Sequence, residues 1–242
     1  MKYLYIIYQY LIALPLVLLF TIFTAVVTIL FSRWKNAAWL HTLQMWWSRS
    51  FYYLCFIPVR VSGLENITPN QSYVFVSNHQ SMFDVVLVYG WLPVIFKWMM
   101  KKELRRIPFV GKACEKAGHI YVDRKNIKAA QQSICDVKAV LKDGVSTVIY
   151  PEGTRTKDGS VGRFKRGAFQ IALDLGLPII PISLSGCYEV MPRDKMYVTY
   201  HPVHMHVGKP IDITQFEDRD AAIEYVRNQV IDGMVNVDSN KG

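Results

Sequence analysis

Thirty consecutive residues without a formal charge, 3–32, lie between Lys2 and Arg33. About twenty apolar residues suffice to cross a bilayer as a helix, so this run is typical of a membrane segment. A cleaved signal peptide fits poorly, because the apolar part is too long and its start carries little positive charge. A membrane-associated N-terminus is therefore the first constraint on the fold.

Two weakly polar stripes with helical spacing follow one another in the N-terminal region, the second in a segment rich in aromatic residues that favour the membrane interface. The stripes are Thr21, Thr24 and Thr28 in the first segment and His41, Gln44 and Ser48 in the second. Matching stripes predict a helical hairpin whose polar faces meet and whose aliphatic faces contact lipid. Both a hairpin within one leaflet and one that crosses the bilayer fit this pattern. A simple membrane anchor is the alternative.

Basic residues outnumber acidic ones by 28 to 19, a net charge of +9, and they are unevenly spread. Residues 97–128 hold ten Lys and Arg against three acidic residues. Such a field attracts anionic lipid headgroups or an acidic carrier protein, and a merely solvated basic face is the alternative. No nucleic-acid-binding signature is present, so a membrane partner is favoured over nucleic acid. Lys2 on one side against Arg33, Lys35 and Arg49 on the other predicts that the remaining chain is cytoplasmic.

The four cysteines have no CxxC spacing, so the sequence predicts neither a zinc ribbon nor a thiol-exchange motif. Free thiols in a reducing compartment are the expected state. The cysteines are Cys55, Cys114, Cys135 and Cys187.

After Pro58, short apolar strands alternate with amphipathic helices. This order predicts the α/β class: a single-domain α/β sandwich over residues 58–242, with a mixed sheet flanked by helices. The N-terminal hydrophobic helix pair, residues 1–57, precedes it as a membrane-associated hairpin. The predicted strands are Tyr73–Ser77, Val145–Tyr150, Pro178–Leu184 and Met196–Val207, and the predicted helices are Asn126–Leu141, Phe164–Leu175 and Ala221–Ile231.

A first group of polar residues, Ser77–Asp84, directly follows a predicted strand. Strand ends are where α/β sheets usually place catalysis, and the group contains His79 and Asp84. Histidine can take a proton from a hydroxyl near neutral pH, and an acidic partner fixes its tautomer. A capping box, Ser81-x-x-Asp84, is the competing structural interpretation.

A second group, Tyr150–Arg155, follows the next buried strand and leads into glycines at Gly159 and Gly162. Glycine allows a close backbone approach, and a guanidinium matches phosphate oxygens with a bidentate fork. The group is therefore a candidate anion site centred on Arg155. The alternative is an ordinary charged turn with a solvated arginine.

Together the two groups resemble the glycerophospholipid acyltransferase family, and most of all its 1-acyl-sn-glycerol-3-phosphate (lysophosphatidic acid) acyltransferases. The resemblance covers roughly residues 59–213, in the family's order and spacing. Its four motifs are Asn78-His79-x4-Asp84, then Lys101-Lys102-Glu103-Leu104 with Pro108, Gly111, Gly118 and Arg124, then Glu152-Gly153-Thr154-Arg155, and finally Pro178–Pro181.

The resemblance implies that His79 is a general base for the sn-2 hydroxyl of lysophosphatidic acid, held by Asp84. It implies a thioester of acyl carrier protein or coenzyme A as co-substrate and phosphatidic acid as product. No cofactor is expected, because a thioester is already activated and requires neither ATP nor a metal. Lys101 and Arg155 match positions that contact the acceptor phosphate. Glu152, Gly153 and Thr154 would shape that pocket.

Three histidines, His201, His204 and His206, raise a metal hypothesis, but their strand has no nearby Cys or obvious carboxylate, so no metal site is predicted. Three alternative functions stay open. They are acyl transfer to another lysolipid or to glycerol 3-phosphate, a hydrolase, and a non-catalytic membrane lipid-binding module. The membrane location expected for the proposed enzyme is the cytoplasmic face of the inner membrane.

Overall fold

The structure is a computed structural model that describes residues 2–34, 37–122, 141 and 144–237. The strands are β1 (Val59–Ser62), β2 (Val74–Ser77), β3 (Phe96–Lys101), β4 (Ile120–Val122), β5 (Ser146–Ile149), β6 (Ile179–Ser185) and β7 (Val203–Val207). Within these described residues, they form one seven-stranded sheet in the order β1-β7-β6-β2-β5-β3-β4. The strands from β6 to β4 run parallel, β7 is antiparallel to β6, and β1 is parallel to β7. The predicted mixed sheet is confirmed.

Helices cover both faces of the sheet, which confirms the α/β class. The helices are α1 (Lys2–Phe31), α2 (Ala37–Leu54), α3 (Phe83–Trp91), α4 (Val110–Lys116), α5 (Gly167–Leu175), α6 (Cys187–Val190) and α7 (Arg219–Asp232). The predicted helix Asn126–Leu141 lies outside the described residues, except for Leu141, and so does Arg124 of the second motif.

Alternation along β2 separates two hydrophobic cores, because successive side chains of a strand point to opposite faces. Phe75 belongs to the core formed with α2, α3 and α6. Val74 and Val76 belong to the core formed with α5 and α7. Every residue of β2 is buried, as expected for a central parallel strand. The end of this strand is therefore rigidly placed.

The predicted strand Met196–Val207 is wrong in its first half. Only Val203–Val207 forms a strand, which pairs with β1 and β6 rather than within a local hairpin. The backbone at Val198 bonds instead to the side chain of Gln9, which accepts its N–H at 2.8 Å and donates to its C=O at 2.7 Å. The other described element boundaries differ from prediction by at most three residues.

Helix α1 is long and apolar enough to cross a membrane by length and composition, and it contains a π-helical turn at Gln9–Ala13. The start of α1 is bonded to the rest of the chain. The Tyr5 and Tyr8 hydroxyls donate to the Cys55 and Leu54 carbonyls, and Gln9 binds Val198 as described. The first turns of α1 therefore dock on the α/β fold.

The predicted meeting of the two polar stripes is confirmed only in part: Gln44 faces the threonine stripe together with its neighbour Trp47, whereas His41 packs against Tyr89 and Phe96. Trp47 Nε1 donates to Thr21 Oγ1 at 2.8 Å, and Gln44 Nε2 lies 3.5 Å from Thr28 Oγ1. On its other side, α2 packs against α3, where the Tyr52 hydroxyl donates to the Phe83 carbonyl at 2.9 Å. The hairpin is thus packed against α3 of the α/β part. The domain boundary at residue 57 stays a prediction.

Candidate active site

The candidate site lies at the carboxyl edge of the parallel strands, where β2 sits between β6 and β5. His79 follows β2 by two residues, and residues 150–155 follow β5. Adjacent parallel strands end at the same edge of a sheet, so the topology brings the two predicted groups together. The Thr156 N–H donates to the His79 carbonyl at 2.9 Å, which joins the two loops directly.

Asp84 stands in the first turn of α3 and is fully buried. Its Oδ2 accepts the N–H of Gln80 at 2.5 Å and the N–H of Ser81 at 2.7 Å, and it lies 2.9 Å from His79 Nδ1. Because a carboxylate only accepts, Nδ1 carries the proton and Nε2 keeps a lone pair. The structure therefore supports both interpretations of Asp84, since one oxygen holds the turn and the imidazole.

Two further side chains hold the loop that carries His79. The Asn78 side chain forms two 2.9 Å hydrogen bonds with the backbone of Leu184: its Nδ2 donates to the carbonyl, and its Oδ1 accepts the N–H. The Ser81 hydroxyl donates to the Met191 carbonyl at 2.7 Å and accepts the Phe83 N–H. The loop is thus tied to β6 on one side and to the segment after α6 on the other.

Glu152 joins three parts of the site through backbone hydrogen bonds. Its Oε1 accepts the His79 N–H at 2.7 Å, and its Oε2 accepts the Gly162 N–H at 2.9 Å. A Cβ at residue 162 would come within 2.8 Å of Oε2, so the close approach requires glycine. Burial raises the pKa of Glu152, an effect that these two N–H donors oppose. Glu152 therefore holds the backbone at His79 and at Gly162 in place.

An aromatic wall stands beside the imidazole. The Tyr150 ring stacks on His79 with centroids 4.1 Å apart and an interplanar angle of 14°. Trp98 also stacks on Tyr150, with centroids 5.5 Å apart and an interplanar angle of 20°. The sequence offered no signal for this stack, because Trp98 lies on β3, far from both polar groups in the chain.

The predicted cationic residues lie at the same edge. Arg155 is partly buried beside Thr156, and no described acidic side chain pairs with it. Lys101 ends β3 and is exposed. Gly153 has a positive φ of 75°, which only glycine adopts without strain, and Thr154 is exposed. The described site thus holds an imidazole, its carboxylate partner and two cationic side chains along one sheet edge.

The three C-terminal histidines lie elsewhere. The Ser62 hydroxyl lies 2.9 Å from His204 Nε2 and 3.0 Å from His206 Nδ1, and His201 Nδ1 lies 2.7 Å from the Pro202 carbonyl. Among the residues that the structure describes, no group of three or more His, Cys, Asp or Glu side chains is placed to hold a metal ion.

A family model described as "Acyltransferase" matches residues 58–185, just over half of the chain. The chain belongs to the acyltransferase family. The matched residues include His79, Asp84 and residues 150–155, so the match covers the candidate site itself. It confirms the family resemblance drawn from the four motifs.

Several curated relatives are named 1-acyl-sn-glycerol-3-phosphate acyltransferase. BAT2 of Brassica napus, described as chloroplastic, is 31% identical over 208 residues, which cover 85% of this chain and 59% of that protein. The alpha form of Homo sapiens is 36% identical over 160 residues, which cover 66% of this chain and 56% of that protein. The chain therefore spans somewhat more than half the length of these relatives.

A solved structure is similar over almost its whole length. It is the crystal structure of the 1-acyl-sn-glycerophosphate (LPA) acyltransferase PlsC from Thermotoga maritima, with a TM-score of 0.74 and 28% identity. The similarity covers 94% of this chain and 97% of that chain. The shared fold thus includes the N-terminal helices as well as the α/β part.

Proposed function

We propose that the protein is an O-acyltransferase that moves an acyl chain from a thioester to the sn-2 hydroxyl of 1-acyl-glycerol 3-phosphate, which makes phosphatidic acid. The donor is the thioester of acyl carrier protein or of coenzyme A. The observation that carries the proposal is the 2.9 Å contact between His79 and Asp84 at the sheet edge that also holds Arg155. The names of the relatives and of the similar solved structure support the acceptor.

The chemistry follows from the orientation of His79. Its Nε2 takes the proton of the acceptor hydroxyl while the hydroxyl oxygen attacks the thioester carbonyl. The carbon–sulfur bond then breaks, and the imidazolium returns the proton to the departing thiolate, so the products are an ester and a free thiol. Asp84 stabilises the imidazolium between the two steps. General-base help of this kind contributes about 10²–10⁴-fold to the rate.

The two cations are suited to the acceptor phosphate. Arg155 has a planar fork of donors that matches phosphate oxygens, and Lys101 adds a point charge. Glu152 accepts one backbone N–H with each of its oxygens, so the contacts that it makes hold the loops of the site together.

The membrane arrangement follows from the docking of α1. The hydrogen bonds of Gln9 and Thr21 to the rest of the protein support an α1 that stays docked on it. The exposed face of α1, which includes Leu11, Leu19 and Phe23, then inserts into one leaflet. The excess of basic residues after residue 32 supports the cytoplasmic face of the inner membrane as the location.

A thioester-release assay tests the proposal. Purified protein in mixed vesicles receives an acyl thioester with and without lysophosphatidic acid. We expect release that depends on the acceptor, and its loss in His79→Ala. His201→Gln, an imidazole away from the site, is the matched control and should retain activity. Release without acceptor would indicate a hydrolase, and a lipid-binding function that survives His79→Ala would indicate a non-catalytic module.

The acceptor is tested separately. Arg155→Ala should raise the KM for lysophosphatidic acid by at least tenfold, since one charge-assisted contact contributes about 1.5–3 kcal/mol. Arg60→Ala, an exposed arginine on β1, is the control. With a monoacylglycerol as acceptor, which lacks the phosphate, the two variants should have the same KM. If the wild type preferred glycerol 3-phosphate or another lysolipid, that compound and not lysophosphatidic acid would be the acceptor.

A further inference from the structure

The imidazole of His79 is held at two places, only one of which belongs to the His–Asp pair. Asp84 holds the ring at Nδ1, and Tyr150 covers one face of the ring at a centroid distance of 4.1 Å. A single contact at Nδ1 leaves the ring free to swing about that point. The stacked ring of Tyr150 fixes the plane, so that Nε2 points in one direction.

The Tyr150 side chain acts through its ring and not through its hydroxyl. The hydroxyl oxygen is buried and has no hydrogen-bond partner within the described part of the chain. Burial raises the pKa of Tyr150 well above its ordinary value, an effect that nearby Asp84 reinforces, so the phenol stays neutral. The π face that meets His79 is therefore that of an uncharged phenol.

The face of an uncharged aromatic ring attracts an imidazolium more strongly than it attracts an uncharged imidazole, because the quadrupole of the aromatic ring places negative charge above its plane. His79 becomes a cation only after it takes the acceptor proton. The stack therefore stabilises the charged state that forms during the reaction more than the state that precedes it. Trp98 also stacks on Tyr150, so the tyrosine ring packs between two described ring contacts.

We propose that Tyr150 is a positioning residue of the acyl transfer, whose ring orients the imidazole of His79 and stabilises the imidazolium. The inference rests on the proposed function, since it assigns His79 the role of general base. It adds a third group to the pair that the family resemblance implies. The remaining question is whether the ring or the hydroxyl is needed.

Two substitutions separate the ring from the hydroxyl. Tyr150→Phe keeps the stack and removes an unpartnered hydroxyl, so its kcat should stay within about twofold of the wild type. Tyr150→Leu removes the π face, and its kcat should fall about 3- to 10-fold with little change in the acceptor KM. Tyr150→Met, which fills a similar volume without a π face, should behave like Tyr150→Leu and serves if the leucine variant does not fold.

The pH dependence distinguishes this role from a loss of packing. Without the π face the imidazolium is less stable, so the acidic limb of the kcat/KM profile should move about 0.5–1 pH unit lower in Tyr150→Leu. A merely structural role would lower the active fraction and leave the limb in place. Tyr225→Leu on α7 removes an aromatic pair with Phe216, and it should change neither kcat nor the position of the acidic limb.

A readout without turnover keeps the two proposals separable. Carbethoxylation by diethyl pyrocarbonate modifies only uncharged imidazole, and peptide mapping reports it for His79 alone. Its half-maximal pH should shift downward in Tyr150→Leu by the same 0.5–1 unit. Wild-type protein without acceptor-dependent turnover would refute the proposed function, whereas this shift would still support the role of Tyr150. An unshifted midpoint, or Tyr150→Phe as impaired as Tyr150→Leu, would overturn the role of the ring.

Discussion

Asp84 uses one carboxylate oxygen for two tasks, the backbone turn after Asn78 and the orientation of His79. Asp84→Asn separates them. The amide oxygen can still accept the N–H groups of Gln80 and Ser81, but it carries no charge to stabilise the imidazolium. We expect kcat to fall by about 10²-fold or more while the fold is retained.

The assay is thioester release, with circular dichroism as the check on folding. Asp194→Asn, an exposed acid in the segment after α6, is the control and should retain full activity. If Asp84→Asn kept more than a tenth of wild-type kcat with an intact fold, Asp84 would be a capping residue only.

His119 links stability to pH. Burial, reinforced by the charge of Lys97, lowers the pKa of His119 to about 3, and its Nδ1 accepts the Trp98 N–H at 3.3 Å. The unfolded chain therefore binds a proton near pH 6.5 that the folded chain refuses until about pH 3. The free energy of unfolding should decrease on acidification through this window, by on the order of a few kcal/mol.

Denaturant unfolding in detergent at several pH values measures this dependence. His119→Asn keeps an acceptor for the Trp98 N–H but does not titrate, so its stability should depend less on pH between 6.5 and 3. His41, whose pKa burial lowers to about 4, contributes in the same direction and persists in that variant. An identical pH slope in wild type and His119→Asn would contradict the prediction.

The sequence predicted His79 and Asp84 in one group and Arg155 in another, each group after a strand, and the family resemblance joined the two groups into one site. It did not predict how Glu152 acts, because its partners are backbone groups of His79 and Gly162, and a backbone N–H leaves no mark in the sequence. The Tyr150 stack was missed for a related reason, since aromatic contacts across strands depend on register.

Among the helices, α1 shows the limit of composition most clearly. Its apolar length is evident from the sequence, as is the polar stripe that meets α2 through Thr21 and Trp47. The docking of its first turns is not evident, because Gln9 finds its partner 189 positions away at Val198. The segment around Val198 was predicted as a strand. Its backbone N–H and C=O groups bond instead to the side chain of Gln9.

Replacement of Gln9 tests this docking. Gln9→Leu removes both hydrogen bonds to Val198, so the segment 191–200 should open more often. Trypsin cleavage after Arg193 and Lys195 should become at least several-fold faster, because proteolysis follows the open population. Tyr10→Phe, which removes one exposed hydrogen bond to Met196, should change the rate much less. Equal cleavage of Gln9→Leu and wild type would show that other contacts hold the segment.

Within the described part of the chain, helix α1 carries more than half of the exposed large hydrophobic side chains, and the proposed substrates are lipids of the bilayer. Leu19 is 64% exposed, so Leu19→Glu should leave the thermal stability unchanged. Vesicle binding should weaken at least tenfold, because insertion of one leucine contributes about 1.5–3 kcal/mol and a carboxylate opposes it. Flotation with vesicles measures this, with Tyr225→Glu on α7 as the control. Unchanged flotation of Leu19→Glu would place the lipid contact on another face.

The segment between α6 and β7 has a mechanical consequence. One end is bonded to Ser81, two residues from His79, and the middle is bonded to Gln9 of α1. The segment therefore connects the apolar helix α1 to the loop that holds the imidazole. If the exposed face of α1 lies in lipid as proposed, we expect turnover of the proposed enzyme to depend on how tightly the surrounding acyl chains are packed.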